Sequence, residues 1–162
     1  YKAANEAGHI LSVKVEAVPE AINNLKNEVS NLSSRLKEKT AEVYELKLQE
    51  FLAQAPMTSK GYKVVCVTEE TDSVGAKLLM QQLSEENDLL VAIFAHSGAR
   101  INYQFAVTLG AAGDCRKYIA KANELFNGKG GGKPEFAQGG ANYCGNWQIL
   151  AQQVADYMQR EE

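Results

Sequence analysis

Along the first third of the chain the apolar positions recur at helical spacing. Ile22, Leu25, Val29, Leu32 and Leu36 follow at alternating steps of 3 and 4, and Val43 and Leu46 resume the same phase. This is an a/d heptad seam, and it predicts one helix from residue 18 to about 54. Pro19 suits the first turn, where its missing N–H has no intrahelical partner to lose. Lys39 interrupts the seam, and a second apolar line of Tyr44, Leu48, Phe51 and Leu52 opens beside it near the end. The intervening positions are mostly Glu, Lys, Asn, Ser and Arg, so the helix can bury only a stripe. It needs a partner: a second copy, a neighbouring helix over Tyr1 to Leu11, or another domain. Pro56 and the stretch MTSKG end it.

The pattern then changes. Lys63 to Thr68 (KVVCVT) is a short β-branched run and predicts a strand. Asp72 or Ser73 can cap a helix whose apolar side uses Val74, Leu78, Leu79 and Leu83. Asp88 to Ala95 predicts a second, wholly apolar strand and Ile101 to Leu109 (INYQFAVTL) a third. Ser97-Gly98-Ala99 joins these two tightly enough for an antiparallel hairpin. Asp114 can cap a helix running through Phe126, and Trp147 to Met158 carries the last helical period. The expected architecture is α/β: a helical arm over residues 1–56, then a compact β-α-β-β-α-loop-α domain over 57–162.

Composition bounds the chemistry. With 162 residues, 45% hydrophobic and 23% charged, the chain fits one ordinary globular domain plus an appendage. The longest apolar run, Leu89 to Ala95, is far too short to span a bilayer, and no membrane association is expected. The three cysteines, Cys66, Cys115 and Cys144, are widely spaced and odd in number, which fits a reducing, cytoplasmic setting better than a disulfide framework. The chain opens at Tyr1 without an initiator methionine or a secretory pattern, and a piece of a longer protein is the expectation. His9 and His96 are far apart and no cysteine has a Cys or His close by, so no metal site and no catalytic centre is expected in this chain.

The net charge of −3 argues against whole-surface nucleic-acid binding, but the local balance differs. Between Arg116 and Lys133 there are 5 basic residues (Arg116, Lys117, Lys121, Lys129, Lys133) against the single acid Glu124. This neighbourhood runs into GKGGGKPEFAQGG, residues 128–140, in which 6 of 13 residues are glycine. A P-loop is ruled out, because Asn127 stands where its first glycine belongs, Pro134 where its hydroxyl belongs, and a helix precedes it. Two readings stay open: a long structural turn, or small residues whose N–H groups converge on an anion with Lys129 and Lys133 adding charge.

The same residues resemble a known family. FNGKGGGKPEFAQGGA is similar to the C-terminal segment of alanyl-tRNA synthetases, which follows a G-G-x-G-G-G-x-P-[DE]-x-A-Q-[AG]-G pattern. VTLGAAGDCRKYIAKANELF and GYKVVCVTEETDSVGAKLLMQQLSEE resemble that family's strand–helix segments, and the arm resembles the helical link to its editing domain. The pattern maps onto Asn127, Gly128, Gly130, Gly131, Gly132, Pro134, Glu135, Ala137, Gln138, Gly139 and Gly140, departing at Asn127 (usually Gly) and Glu135 (more often Asp).

The resemblance implies a C-Ala domain, related to the DHH-associated domain, that binds tRNA(Ala) and oligomerises. It also implies use in aminoacylation or in editing of mischarged alanine tRNA. The expected RNA-facing residues are Gly128, Lys129, Gly130, Gly131, Gly132, Lys133, Gln138, Gly139 and Gly140, with Arg116, Lys117 and Lys121. The expected pairing surface for a homodimer is the arm seam, Ile22, Leu25, Val29, Leu32, Leu36, Val43 and Leu46, with the globular domain as the other candidate. Neither H-x-x-x-H nor C-x-x-x-H is present. Zinc and ATP are therefore expected only in other domains of a parent protein, with no cofactor here. Alternatives are the nucleotide-binding half of a DHH-type phosphoesterase, whose loop more often reads G-G-G-H-P, and a purely structural dimeriser.

Overall fold

A computed structural model describes residues 1–161. The chain divides into two compact units, the first covering Tyr1–Lys39 and the second beginning at Thr40. In the first unit α1 (Lys2–Leu11) closes at Ser12, whose backbone is left-handed (φ 56) and whose N–H bonds the His9 carbonyl. A 3-10 turn over Val15–Ala17 leads into α2 (Val18–Gln54), the long helix that the heptad spacing predicts.

The two apolar lines of α2 have different fates. Ile22, Leu25, Val29, Leu32, Leu36, Val43 and Leu46 are all 45–81% exposed. Tyr44 is only 4% exposed and, with Leu48, Phe51 and Leu52, packs into a core cluster of the second unit. Polar ties reinforce that docking: Lys47 Nζ meets Glu69 Oε1 at 2.9 Å, Lys63 Nζ donates to the Leu52 carbonyl, and Gln82 Nε2 donates to the Ala41 carbonyl. The last turns of α2 therefore belong to the second unit.

That unit continues as β1 (Lys63–Glu69), α3 (Ser73–Ser84), β2 (Leu89–Ser97), β3 (Arg100–Val107), α4 (Cys115–Phe126), β4 (Lys129–Gly132), β5 (Phe136–Asn142) and α5 (Trp147–Glu161). The strands form one sheet in the order β1-β2-β3-β5-β4, parallel between β1 and β2 and antiparallel elsewhere. The α/β class and the order of helices and strands follow the expectation, with one difference. The stretch expected as a loop between α4 and α5 is a hairpin that extends the sheet by two strands.

Local chemistry places the elements. The Asp72 carboxylate accepts from the N–H groups of Val74 and Gly75, and that of Asp114 from Arg116, so both helices start on a side-chain cap. Asn127 ends α4 in a left-handed conformation (φ 50, ψ 42), which asparagine tolerates better than most residues. Ser97 pairs with Arg100 across a two-residue turn whose first residue, Gly98, has φ +60, the II′ pattern that suits strand twist.

Side chains alternate across the sheet. Leu90, Ala92, Phe94, Ile101, Tyr103, Phe105, Ala137 and Ala141 face one side, where α4 and α5 cover them. Val65, Val67, Leu89, Val91, Ile93, Ala95 and Ala106 face the other, beneath α3 and the end of α2. On that second side α3 packs mainly over β2 and β3.

Candidate nucleic-acid interface

The glycine stretch folds as strands because of what lies beside it. Lys129, Gly130, Gly131 and Gly132 pair with Gly140, Gly139, Gln138 and Ala137 in antiparallel register. Between the strands, Lys133 and Phe136 exchange backbone hydrogen bonds around Pro134-Glu135, where proline suits the second position of a turn. The turn is tied down at both ends: Cys115 N–H at the start of α4 donates to the Pro134 carbonyl, and Val107 N–H to that of Glu135. Tyr103, in register with Gly139, lies under the pair. A Cβ on Gly139 would come within 2.7 Å of its ring, and one on Gly128 would run into its hydroxyl. A Cβ on Gly130 or Gly132 would strike the facing backbone of β5, whereas Gly131 faces open space.

Tyr103 is in turn anchored by α4. Its hydroxyl donates to Asn123 Oδ1 at 2.6 Å, and Asn123 Nδ2 donates to the Gly130 carbonyl at 3.2 Å. Burial pushes the Tyr103 phenol up to about 12, with the Arg100 charge acting in the opposite sense. One asparagine thus holds β3, α4 and β4 together. The stretch is extended and paired as an antiparallel hairpin, not coiled into a nest that would converge its N–H groups on an anion.

The expected site residues lie on two sides of this hairpin. Lys129, Gly131, Gln138 and Gly140 alternate onto the side of the sheet that carries α3. Lys129, Gly130, Gln138, Gly139 and Gly140 line a groove there of about 370 Å³, joined by Ser73, Lys77, Arg100, Asn102, Tyr103 and Gln104. Arg116, Lys117 and Lys121 belong to α4, on the opposite side of the sheet. Lys133 is exposed at the tip of the turn, and Gly128 leads into β4.

The two basic groups also differ in charge compensation. Arg116 holds the Asp114 carboxylate through bonds of 2.7 and 2.9 Å, and this pairing pulls Asp114 down to about 2. Lys121 Nζ sits 3.1 Å from Glu124 Oε2 and 6.0 Å from the centre of the Tyr157 ring. In the groove, Lys77 and Lys129 have no ion-pair partner among the described residues, and Arg100 has one long bond of 3.5 Å to the neutral Asn142. Among the described residues no carboxylate lines the groove. Cations left unpaired in a carboxylate-free groove attract an anion more than cations already paired.

Lys77, Arg100, Asn102 and Gln104 escaped the motif-based reading. A signal for three of them was present in RINYQF, where polar and apolar residues alternate along β3 and mark one polar face. His96, at the end of β2, bonds the Gly98 carbonyl through Nε2 at 2.9 Å and stacks on Tyr143 at 4.4 Å. Burial pushes the thiols of Cys66 and Cys115 up to about 12, the first aided by the Asp156 charge, the second by those of Asp114 and Glu135. Among the described residues no three His, Cys, Asp or Glu side chains cluster as a metal ion would need, and no helix is long and apolar enough to cross a membrane.

Comparison with known proteins gives two findings. The chain superposes on the crystal structure of the C-Ala domain from Aquifex aeolicus alanyl-tRNA synthetase with a TM-score of 0.53 at 17% identity, covering 64% of this chain and 96% of that one. It is also 44% identical over 43 residues to an alanine–tRNA ligase of Caldicellulosiruptor saccharolyticus, a stretch that makes up 26% of this chain and 5% of that protein. No protein-family model matches. The chain contains a C-Ala-like fold.

Proposed function

We propose that this chain is a tRNA-associated binding module that holds RNA on the α3 side of its glycine hairpin and does no chemistry itself. The carrying observation is the groove where Lys77, Arg100 and Lys129 converge with no acidic partner among the described residues. The C-Ala-like fold and the short likeness to an alanine–tRNA ligase support tRNA as the class of RNA. On this reading tRNA(Ala) is held for aminoacylation or for editing by other domains, which would carry the zinc and ATP chemistry, in the cytoplasm. Arg116, Lys117, Lys121 and Lys133 form a secondary basic edge.

The test is a mobility-shift titration of tRNA(Ala) transcript against two triple variants. Lys77→Ala/Arg100→Ala/Lys129→Ala should weaken binding at least about tenfold and flatten the log–log salt dependence by roughly 2–3, since each lost phosphate contact removes about one counterion. Arg116→Ala/Lys117→Ala/Lys121→Ala should do less. Equal losses, or a greater loss from the α4 variant, would move the interface to the other side of the sheet.

The exposed seam on α2 supports a second property, self-association. Apolar side chains repeating at a and d positions and 45–81% exposed are what a paired helix buries. Leu25→Ser/Val29→Ser/Leu32→Ser/Leu36→Ser should convert a dimer to monomers in sedimentation velocity, and an unchanged sedimentation coefficient excludes pairing through this seam.

A further inference from the structure

The groove contains more than cations. Gln104 is only 7% exposed as a residue, but its amide makes no hydrogen bond among the described residues and is open to the groove that it lines. An amide left open in a groove keeps its donors and its acceptor available to a ligand. Gln104 is in direct register with Gln138 on β5, and Asn102 lies one pleat away on the same face. The amides of Asn102 and Gln138 are likewise unpartnered among the described residues, and all three line the groove. Gly140 opposite Asn102 and Gly131 opposite Gln138 carry no side chains to fill the space above them.

Phe136, one pleat from Gln138 on the same face of β5, presents a ring 38% exposed. Each amide offers donors and an acceptor together, the mixed pattern that base edges present, and an exposed ring offers a surface on which a base can stack. The cations Lys77, Arg100 and Lys129 stand around this floor. The groove, about 370 Å³, lies within the range of small-ligand pockets, about 300–1,000 Å³, and has room for one nucleotide.

We infer that the groove accepts a single unpaired nucleotide, its base edge read by Asn102, Gln104 and Gln138 and its phosphate held by Lys77, Arg100 and Lys129. This rests on the RNA-binding reading above and narrows it. A continuous duplex has its pairing edges engaged and offers recessed amides little, whereas a splayed base brings its edge to them.

The test uses fluorescence anisotropy with the full chain and three probes: a hairpin RNA with a one-nucleotide bulge, the same hairpin fully paired, and adenosine monophosphate. The bulged hairpin should bind at least about tenfold tighter than the paired one, the equivalent of about 1.4 kcal/mol. Gln104→Leu should erase that preference, leave the paired hairpin's affinity within about twofold, and leave the urea midpoint unchanged or raised. Gln138→Ala, at an exposed position, should reduce the preference without bearing on folding. Lys77→Ala/Arg100→Ala/Lys129→Ala should weaken both hairpins together. Equal binding of the two hairpins by the unaltered protein, or a preference that survives both amide substitutions, overturns the inference while leaving RNA binding in place. Binding of adenosine monophosphate without either RNA keeps the nucleotide site and overturns the RNA reading. Binding of none of the three overturns both.

Discussion

The two faces of strands β3 and β5 share a backbone and differ in nearly everything else. On one, Ile101, Tyr103, Phe105, Ala137 and Ala141 lie buried beneath α4 and α5. On the opposite face of the same strands, Arg100, Asn102, Gln104, Gln138 and Gly140 face a groove that α3 borders through Ser73 and Lys77. Alternation alone separates them, because successive side chains in a strand point to opposite sides. The lesson is a division of labour: the covered face fixes where the strands lie, and the groove face can carry unpaired cations and amides because it is relieved of that duty. The glycines serve the first face more than the second. Most of them are required by the close approach of Tyr103 and of the facing backbone, not by a ligand.

Breaking the covered face should have the largest effect. Tyr103→Ala removes a fully buried ring and the bond to Asn123 that links β3, α4 and β4, and should destabilise the protein by about 3–5 kcal/mol in urea unfolding. A loss below about 1 kcal/mol would mean that the hairpin is held by something other than this anchor. Next comes the hairpin itself. Gly130→Ala places a methyl against the facing backbone of β5 and should cost about 1–3 kcal/mol, while Gly131→Ala, facing open space, should stay within about 0.5 kcal/mol. Equal costs at the two positions would erase the distinction between packing glycines and groove glycines.

The smallest effect sharpens the contrast in charge. Asp114 is pulled down to about 2 from 3.8, chiefly by its hydrogen bonds from Arg116, so its folded-state preference is for the ionised form. The contribution is therefore complete above about pH 4 and diminishes as the pH falls towards 2. Asp114→Asn keeps a capping side chain and removes the charge. The difference in urea midpoint between the two proteins should be modest at pH 5 and should shrink as the pH falls towards 2. A difference that does not shrink between pH 5 and pH 2 would assign the effect to the cap and not to the ion pair.

Much of this frame is legible in the residues. Heptad spacing marks α2, a β-branched run marks β1, a wholly apolar run marks β2, and two aspartates mark the starts of α3 and α4. What the pattern does not reveal is β4 and β5. KGGG has no strand propensity, and those residues are extended only because Tyr103 and Asn123, 20 positions apart, hold them against the sheet. The basic neighbourhood was visible as composition, but linear proximity joined α4 to the glycines while the sheet placed Lys129 and the α4 cations on opposite sides. Arg100, Asn102 and Gln104 were hidden in plain alternation within a strand that otherwise reads as core. Lys77 carries no local signal, since its place at the groove follows from how α3 lies on β2 and β3.

The open space above Gly131 makes it a natural handle for spectroscopy. Its φ lies outside the positive range, it shares a face with Lys129 and Gln138, and a Cβ added there meets nothing within 4 Å. Cys66 and Cys115, with thiols raised to about 12, are poor competitors for a thiol-reactive dye, which leaves the half-buried Cys144 to be replaced by serine. A fluorophore attached through Gly131→Cys would then sit at the mouth of the groove and report its occupancy directly, with the packed side of the sheet undisturbed.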